Sequence, residues 1–186
     1  MSSVLGIVGS PRTNGNTHSL VSKILDGARQ QGATVETIFL GDQSIRECDG
    51  CHACWHGNAC SKHDDMNKIY QQINQADILV LGTPVYWYGP TALMKGFIDR
   101  FVYYNCEQNR VHVKGKSVVL AIPFEDESVE TVMPVLQFFE RSLSYLGMNL
   151  AGKVIAQGVG KKGEIASRAD LLESAFLLGK KVVEEQ

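Results

Sequence analysis

No apolar run in the 186 residues approaches the ~20 needed to cross a bilayer as a helix, so no membrane span is expected. Charge of one sign is also missing. Eighteen Lys and Arg stand against 20 Asp and Glu, for a net charge of −2, and the basic residues are scattered. Nucleic-acid binding needs a basic face, so it is not expected either. The opening Met1-Ser2-Ser3-Val4-Leu5-Gly6 has neither the basic start nor the long apolar core of a secretion signal, which points to a cytoplasmic protein. Proline is scarce at five residues, and no repeat, low-complexity stretch or interdomain linker interrupts the chain. One domain over residues 1–186, long enough for a sizeable core, is the expectation. A G-x-G-x-x-G run is absent as well. Gly6 and Gly9 have the wrong spacing, so a dinucleotide pyrophosphate site is poorly supported.

What the chain does have is cysteine in one place. Cys48, Cys51, Cys54 and Cys60 fall within thirteen residues as C-x2-C-x2-C-x5-C. A 4Fe–4S cluster takes four thiolates around a compact core, and tight C-x2-C steps let a short loop wrap it. Structural zinc sites usually draw two C-x2-C pairs from separated turns, although His52, His56 or His63 can stand in for a thiolate. Two disulfides and an empty vestige are the other readings, the first disfavoured by a reducing compartment. Cys106 lies in an apolar stretch and reads as a buried free thiol.

Short apolar runs alternate with helix-period segments. Val4–Val8, Thr34–Leu40, Ile78–Leu81, Ser117–Ile122 and Lys153–Ala156 read as strands, several apolar almost throughout, as in parallel strands covered on both faces. Five amphipathic helices lie among and after them. The first carries Leu20, Ile24 and Ala28; the second opens at Asp64 as N-cap; the third runs from Leu93 to Val102. The fourth spans Val129 to Leu146 with Pro134 delaying or kinking its start, and the fifth carries Ile165, Ala169, Leu172, Phe176 and Val183. The fold class is therefore α/β: a flavodoxin-like, doubly wound, five-stranded parallel sheet of order 2-1-3-4-5. Ligands bind such sheets beyond the carboxyl ends of the strands, where the order reverses.

Three unusual loops fall on that edge. The first, Gly9 to Thr17, offers the hydroxyls of Ser10, Thr13 and Thr17, the guanidinium of Arg12 and a helix N-terminus, a set suited to a terminal phosphate. The plainer reading is an ordinary loop with Asn16 or Thr17 as N-cap. The second, Gly82 to Pro90, holds Tyr86, Trp87 and Tyr88 in a row, and a flat conjugated ring or a subunit interface would cover them. The third is the cysteine-rich loop at about 41–63.

Gly9-Ser10-Pro11-Arg12, Asn16-Thr17, the four-cysteine run, Asp64-Asp65-Met66, Thr83-Pro84-Val85-Tyr86, Lys95 and Asp99-Arg100 together resemble the iron–sulfur flavoproteins, a branch of the NADPH-dependent FMN reductase superfamily. The resemblance spans about residues 5 to 100. It implies that Ser10, Arg12, Asn14, Asn16 and Thr17 surround the FMN phosphate, and that Pro84, Val85, Tyr86, Trp87, Tyr88 and Gly89 line the isoalloxazine. It assigns Cys48, Cys51, Cys54 and Cys60 to a 4Fe–4S cluster and implies a homo-oligomer, dimer or tetramer, with a cluster near a neighbour's flavin. One departure stands out. Where relatives carry a small third flavin loop, this chain has Glu125-Asp126-Glu127, acids that face solvent or lower the flavin potential.

The function expected is electron transfer by an FMN-dependent oxidoreductase, from a ferredoxin-like carrier or NAD(P)H to a small-molecule acceptor. No side chain is nominated as catalytic. A plain NAD(P)H-dependent FMN or quinone reductase without a cluster, and a metal or redox sensor built on the cysteine loop, are the alternatives.

Overall fold

The computed structural model describes all residues, Met1 to Gln186. Five strands form one sheet: β1 (Ser3–Val8), β2 (Thr34–Phe39), β3 (Ile78–Gly82), β4 (Ser117–Pro123) and β5 (Asn149–Ala156). Their order is β2-β1-β3-β4-β5, and every pairing is parallel. The expected topology is therefore the observed one. No helix is long and apolar enough to cross a membrane.

The helices are α1 (Asn16–Gln30), α2 (Met66–Gln75), α3 (Ala92–Asp99), α4 (Glu107–Arg110), α5 (Met133–Leu146) and α6 (Ala169–Glu184). Two apolar layers result. One face of the sheet buries Leu5, Leu79 and Leu120 against Ile69 of α2, Phe97 of α3 and Phe139 of α5. The other buries Val4, Val80 and Val119 against Leu20 and Ile24 of α1 and Ala175 of α6. Alternate residues of each central strand thus feed opposite layers, which is why those strands read as continuous apolar runs.

Several boundaries differ from expectation. β5 begins at Asn149, four residues before Lys153, because its first half is an edge of mixed polarity and carries no apolar run. A bulge helps hide it: Val118 pairs with Leu150 and Val119 with Gly152, leaving Ala151 as the extra residue. α5 starts late, after a 3-10 turn at Val129–Val132, with Pro134 in its first turn, where a missing N–H costs nothing. The third helix gives way to a 3-10 stretch at Arg100–Asn105. Asp64 is not the cap of α2. That position is Asp65, while Asp64 accepts from the Met66 amide at 3.2 Å and is otherwise committed to Arg100.

The face of α6 was also misassigned by the apolar periodicity. Its buried residues are Ala175, Gly179 and Val182, with Ile165 on a separate 3-10 turn. Glycine decides this. A Cβ on Gly179 would stand 1.9 Å from the Ile24 carbonyl oxygen, and one on Gly27 would stand 2.0 Å from the Phe176 carbonyl oxygen. The two helices touch backbone to backbone, and small residues set the contact where a hydrophobic pattern looks for large ones. Replacing Gly179 with leucine is expected to force the helices apart at a cost of about 3 kcal/mol, read as a lowered urea midpoint. An unchanged midpoint would mean the helices are free to separate.

Candidate functional site

The carboxyl edge of the sheet carries a cleft between the loops after β1, β3, β4 and β5. Ser10, Arg12, Gly15, Asn16 and Thr17 come from the first loop, Pro84, Val85 and Tyr86 from the second. Pro123, Phe124 and Glu125 come from the third, and Val159, Gly160 and Lys162 from the fourth. The first two loops are bolted together at their roots. The Thr91 hydroxyl donates to the Gly9 carbonyl and accepts from the Met94 amide, so one buried side chain caps α3 and ties it to the β1 loop. The Thr83 hydroxyl accepts from the Thr91 amide at 3.2 Å and donates to the Pro84 carbonyl at 3.1 Å.

The β1 loop presents a helix start without a side-chain cap. The N-cap of α1 is Gly15, correcting the expectation of Asn16 or Thr17. The first-turn amides therefore point outward unspent, beside the Ser10 and Thr17 hydroxyls. That arrangement attracts an anion through aligned N–H groups and the helix dipole. Arg12 uses one guanidinium nitrogen on the Gly160 carbonyl at 3.0 Å and keeps the rest of its fork available.

Asn16 plays a different part. Its amide nitrogen donates to the Val159 and Lys161 carbonyls at 3.0 and 2.9 Å, and its oxygen accepts from the Ile165 amide at 3.1 Å. This side chain fastens the loop after β5 and has little left for a ligand. Asn14 is exposed with φ of 53° and does not line the cleft.

The aromatic loop closes as a two-residue hairpin. Tyr86 and Gly89 exchange backbone bonds of 2.9 and 3.0 Å, and Trp87 and Tyr88 hold positive φ of 49° and 60° between them. Two consecutive non-glycine residues there store roughly 1–3 kcal/mol each. Trp87 is 96 % exposed and Tyr88 60 %, so only Pro84, Val85 and Tyr86 face the cleft. Trp87, Tyr88 and Gly89 stand outside it.

The acids after β4 divide. Glu125 reaches the cleft, with its side chain passing over Gly160 where a Cβ would stand 2.7 Å from its Cγ. Asp126 accepts from the Ser128 amide at 3.0 Å and the Thr131 hydroxyl at 2.6 Å, and the Thr131 bond leads in holding its carboxyl below the usual range. Glu127 is exposed. Sequence reasoning missed Phe124, Val159, Gly160 and Lys162. The run Gly158-Val159-Gly160-Lys161-Lys162-Gly163 beyond the last strand was the available signal.

A second pocket gathers all four clustered cysteines. Cys48, Cys51, Cys54 and Cys60 line it with His52, Lys62, Tyr70 and Arg100. All five cysteines are free thiols, and Cys106 is buried as expected. No three cysteine, histidine or acidic side chains stand close enough to hold a single metal ion, so the expectation of a ready-assembled ligand set is not met. Three of the four sulfurs instead take separate protein partners. Cys51 meets the Ser61 hydroxyl at 3.1 Å, Cys54 the Val102 carbonyl at 3.9 Å, and Cys60 the Arg100 guanidinium at 3.2 Å. Burial, seconded by Cys60, pushes the Cys54 thiol above its ordinary pKa. His52 stacks on Trp55 at 4.0 Å on the outer surface, and neither His56 nor His63 lines the pocket.

α3 separates the two pockets. Thr91 at its start ties the loops at the root of the cleft, and Arg100 just past its end lines the cysteine pocket. Eight residues of helix span about 12 Å.

Known proteins place this architecture. An iron–sulfur flavoprotein of Methanocaldococcus jannaschii is 33 % identical over 184 residues, covering 97 % of this chain and 95 % of its own. One from Archaeoglobus fulgidus is 31 % identical over 180 residues, covering 97 % and 78 %. In structure, the NAD(P)H:quinone oxidoreductase from Methanothermobacter marburgensis superposes with a TM-score of 0.78 at 17 % identity, over 98 % of this chain and 96 % of that one, a likeness of fold. The model of the family NADPH-dependent FMN reductase matches residues 2–184. The chain therefore belongs to the NADPH-dependent FMN reductase family, with iron–sulfur flavoproteins among its relatives, as an FMN-dependent oxidoreductase.

Proposed function

We propose that the protein relays electrons from a ferredoxin-like one-electron carrier to a small acceptor, using a 4Fe–4S cluster on Cys48, Cys51, Cys54 and Cys60 together with FMN in the edge cleft. The observation that carries this reading is the convergence of all four cysteines on one pocket whose wall includes a buried arginine. Four soft thiolates backed by a fixed cation fit an anionic iron–sulfur cluster. When bound, such a cluster carries one electron at a time, while FMN takes up two and releases them singly.

The chain's own residues bind, orient and insulate. Ser10, Arg12, Thr17 and the free amides of α1 hold the phosphate. Pro84, Val85 and Tyr86 offer the ring a wall opposite Phe124 and Glu125. The amide of Val85 is not spent on a backbone acceptor and is available to its polar edge. Lys162 adds a cation to the cleft, and Glu125 a negative charge that disfavours an anionic reduced ring.

Replacing Arg12 by alanine removes a charge-assisted bond of about 1.5–3 kcal/mol, so FMN binding is expected to weaken about tenfold to a hundredfold by fluorescence titration. Riboflavin, lacking the phosphate, is expected to bind far more weakly than FMN. Equal affinity for the two would remove the phosphate assignment.

We also propose a homo-oligomer in which one subunit's cysteine pocket faces a neighbour's flavin. The exposed Trp87–Tyr88 hairpin supports it, as does an apolar groove of Phe101, Val102, Phe138 and Tyr145 that shares Val102 with the cysteine pocket. A monodisperse monomer, fully active with both cofactors bound, would count against this arrangement.

The deciding experiment is anaerobic purification and reconstitution with iron and sulfide. Iron, acid-labile sulfide and flavin together, with reduction by a one-electron carrier, support the relay. Flavin without iron, reduced by NAD(P)H, supports the simpler reductase.

A further inference from the structure

Arg100 is the only charged residue among the buried ones, at 1 % exposure. Both terminal nitrogens of its guanidinium engage the cysteine loop. One terminal nitrogen donates to Asp64 Oδ2 at 2.6 Å and the Arg46 carbonyl at 2.8 Å; the other donates to Asp64 Oδ1 at 3.3 Å and Cys60 Sγ at 3.2 Å. Residues 46 and 64 bracket the four cysteines, so a single side chain clasps both ends of that loop and one of its sulfurs. The backbone of Arg100 is itself held, since the Tyr70 hydroxyl donates to its carbonyl at 2.8 Å.

Charge neutralisation alone does not require the sulfur contact. Asp64 already pairs with the guanidinium, and the Arg46 carbonyl takes another N–H. One guanidinium nitrogen serves both Cys60 Sγ and Asp64 Oδ1, and the carboxylate is itself bonded to the Arg46 and Met66 amides. The pair is neutral as a whole, yet Arg100 lines the cysteine pocket and Asp64 does not, so the positive partner is the one the thiols meet. An N–H bond to a ligand sulfur and a nearby buried cation both stabilise an added electron on an iron–sulfur cluster. Arginine holds its charge throughout. The other cation on the pocket, Lys62, pairs with Asp49 at 2.5 Å at the surface, where solvent screens it.

We infer that Arg100 is a positioning residue of the cluster site: it fixes Cys60 and, by its N–H···S bond and oriented charge, sets the cluster's reduction potential above that of the four thiolates alone. This rests on the cluster reading above.

The test uses the full chain reconstituted anaerobically, with Arg100→Lys, Arg100→Gln and, as a surface-charge control, Lys62→Gln. Iron and sulfide content, circular dichroism and EPR-monitored redox titration are the readouts. The midpoint potential is expected to fall most in Arg100→Gln, less in Arg100→Lys, which keeps a charge but loses the fork, and least in Lys62→Gln. Loss of iron from a folded Arg100→Lys, with Lys62→Gln still loaded, also supports the positioning role. Arg100 variants with wild-type iron and a wild-type or higher potential overturn it. Should both variants fail to fold, pulsed EPR of reduced wild type carrying isotopically labelled arginine decides. A guanidinium nitrogen coupled to the cluster spin supports the inference, and no coupling overturns it. A wild type that takes up flavin and no iron overturns the cluster reading itself, and this inference with it.

Discussion

Replacing any one of Cys48, Cys51, Cys54 or Cys60 with serine is expected to abolish most iron uptake while FMN stays bound. A cluster that uses four thiolates does not tolerate loss of one without weaker, harder ligation in its place. The edge cleft proposed for the flavin draws its residues from the loops after β1, β3, β4 and β5, and none from the cysteine loop. Binding at one site is therefore expected to survive damage at the other. Electron entry from a one-electron carrier is expected to fail in these variants, and chemical reduction of the flavin to persist. Cys106 is the internal control. It is buried and outside the cysteine pocket, so its replacement is expected to leave iron content unchanged. Iron retained at wild-type level in all four serine variants would remove these residues as ligands. Loss of folded structure with loss of iron would indicate a structural metal of the zinc kind.

The second large effect concerns Asp64. Its side chain is 3 % exposed and lies 2.6 Å from an Arg100 that is 1 % exposed. Asp64→Asn leaves the buried guanidinium without its counter-charge, and breaking one partner of such a pair costs about 3–5 kcal/mol. Urea unfolding of the apoprotein at neutral pH is the direct measure. A difference below about 0.5 kcal/mol, the range of ordinary surface changes, would show that the pair is not needed.

The same carboxylate gives a pH signature. Burial works to raise its pKa, but the Arg100 bond, with the Arg46 and Met66 amides, holds it below the ordinary value. A group with a depressed folded pKa stabilises fully above its unfolded pKa, near 3.9, and its contribution is lost as pH falls through the folded value. The stability gap between wild type and Asp64→Asn is therefore expected to be constant near neutrality and to shrink only below about pH 4. A gap that widens on acidification would contradict the ion pair.

How much of this was legible beforehand follows from the range of each interaction. The sheet order was readable because each buried strand is apolar on both faces over successive residues, and right-handed crossovers leave few ways to arrange five such strands. The loop from Gly9 to Thr17 stood out because a βα turn with hydroxyls, an arginine and a helix start shows its groups within nine residues. The cysteine run announced itself by spacing alone. All three are local patterns, and local patterns are what a chain displays along its length.

What stayed hidden was the choice of distant partners. Asn16 reads as a phosphate ligand, and only the packed structure commits it to the loop 143 to 149 residues away. Trp87 and Tyr88 read as covered by a flat ring or by a subunit interface, and the hairpin turns them outward because its two bonds close between Tyr86 and Gly89. The buried face of α6 was invisible because two glycines, at 27 and 179, make the contact, and hydrophobic periodicity has no term for a residue chosen for lacking a side chain. Arg100 entered the sequence reading only within the Asp99-Arg100 match, with no role of its own. Tertiary structure put it under the cysteine loop, 40 residues from Cys60, where its buried charge meets a cysteine sulfur. The sequence by itself thus determined the frame and the kinds of chemistry present. Packing decided which groups are desolvated and which face each other, because burial and charge pairing depend on the folded neighbourhood and not on spacing along the chain.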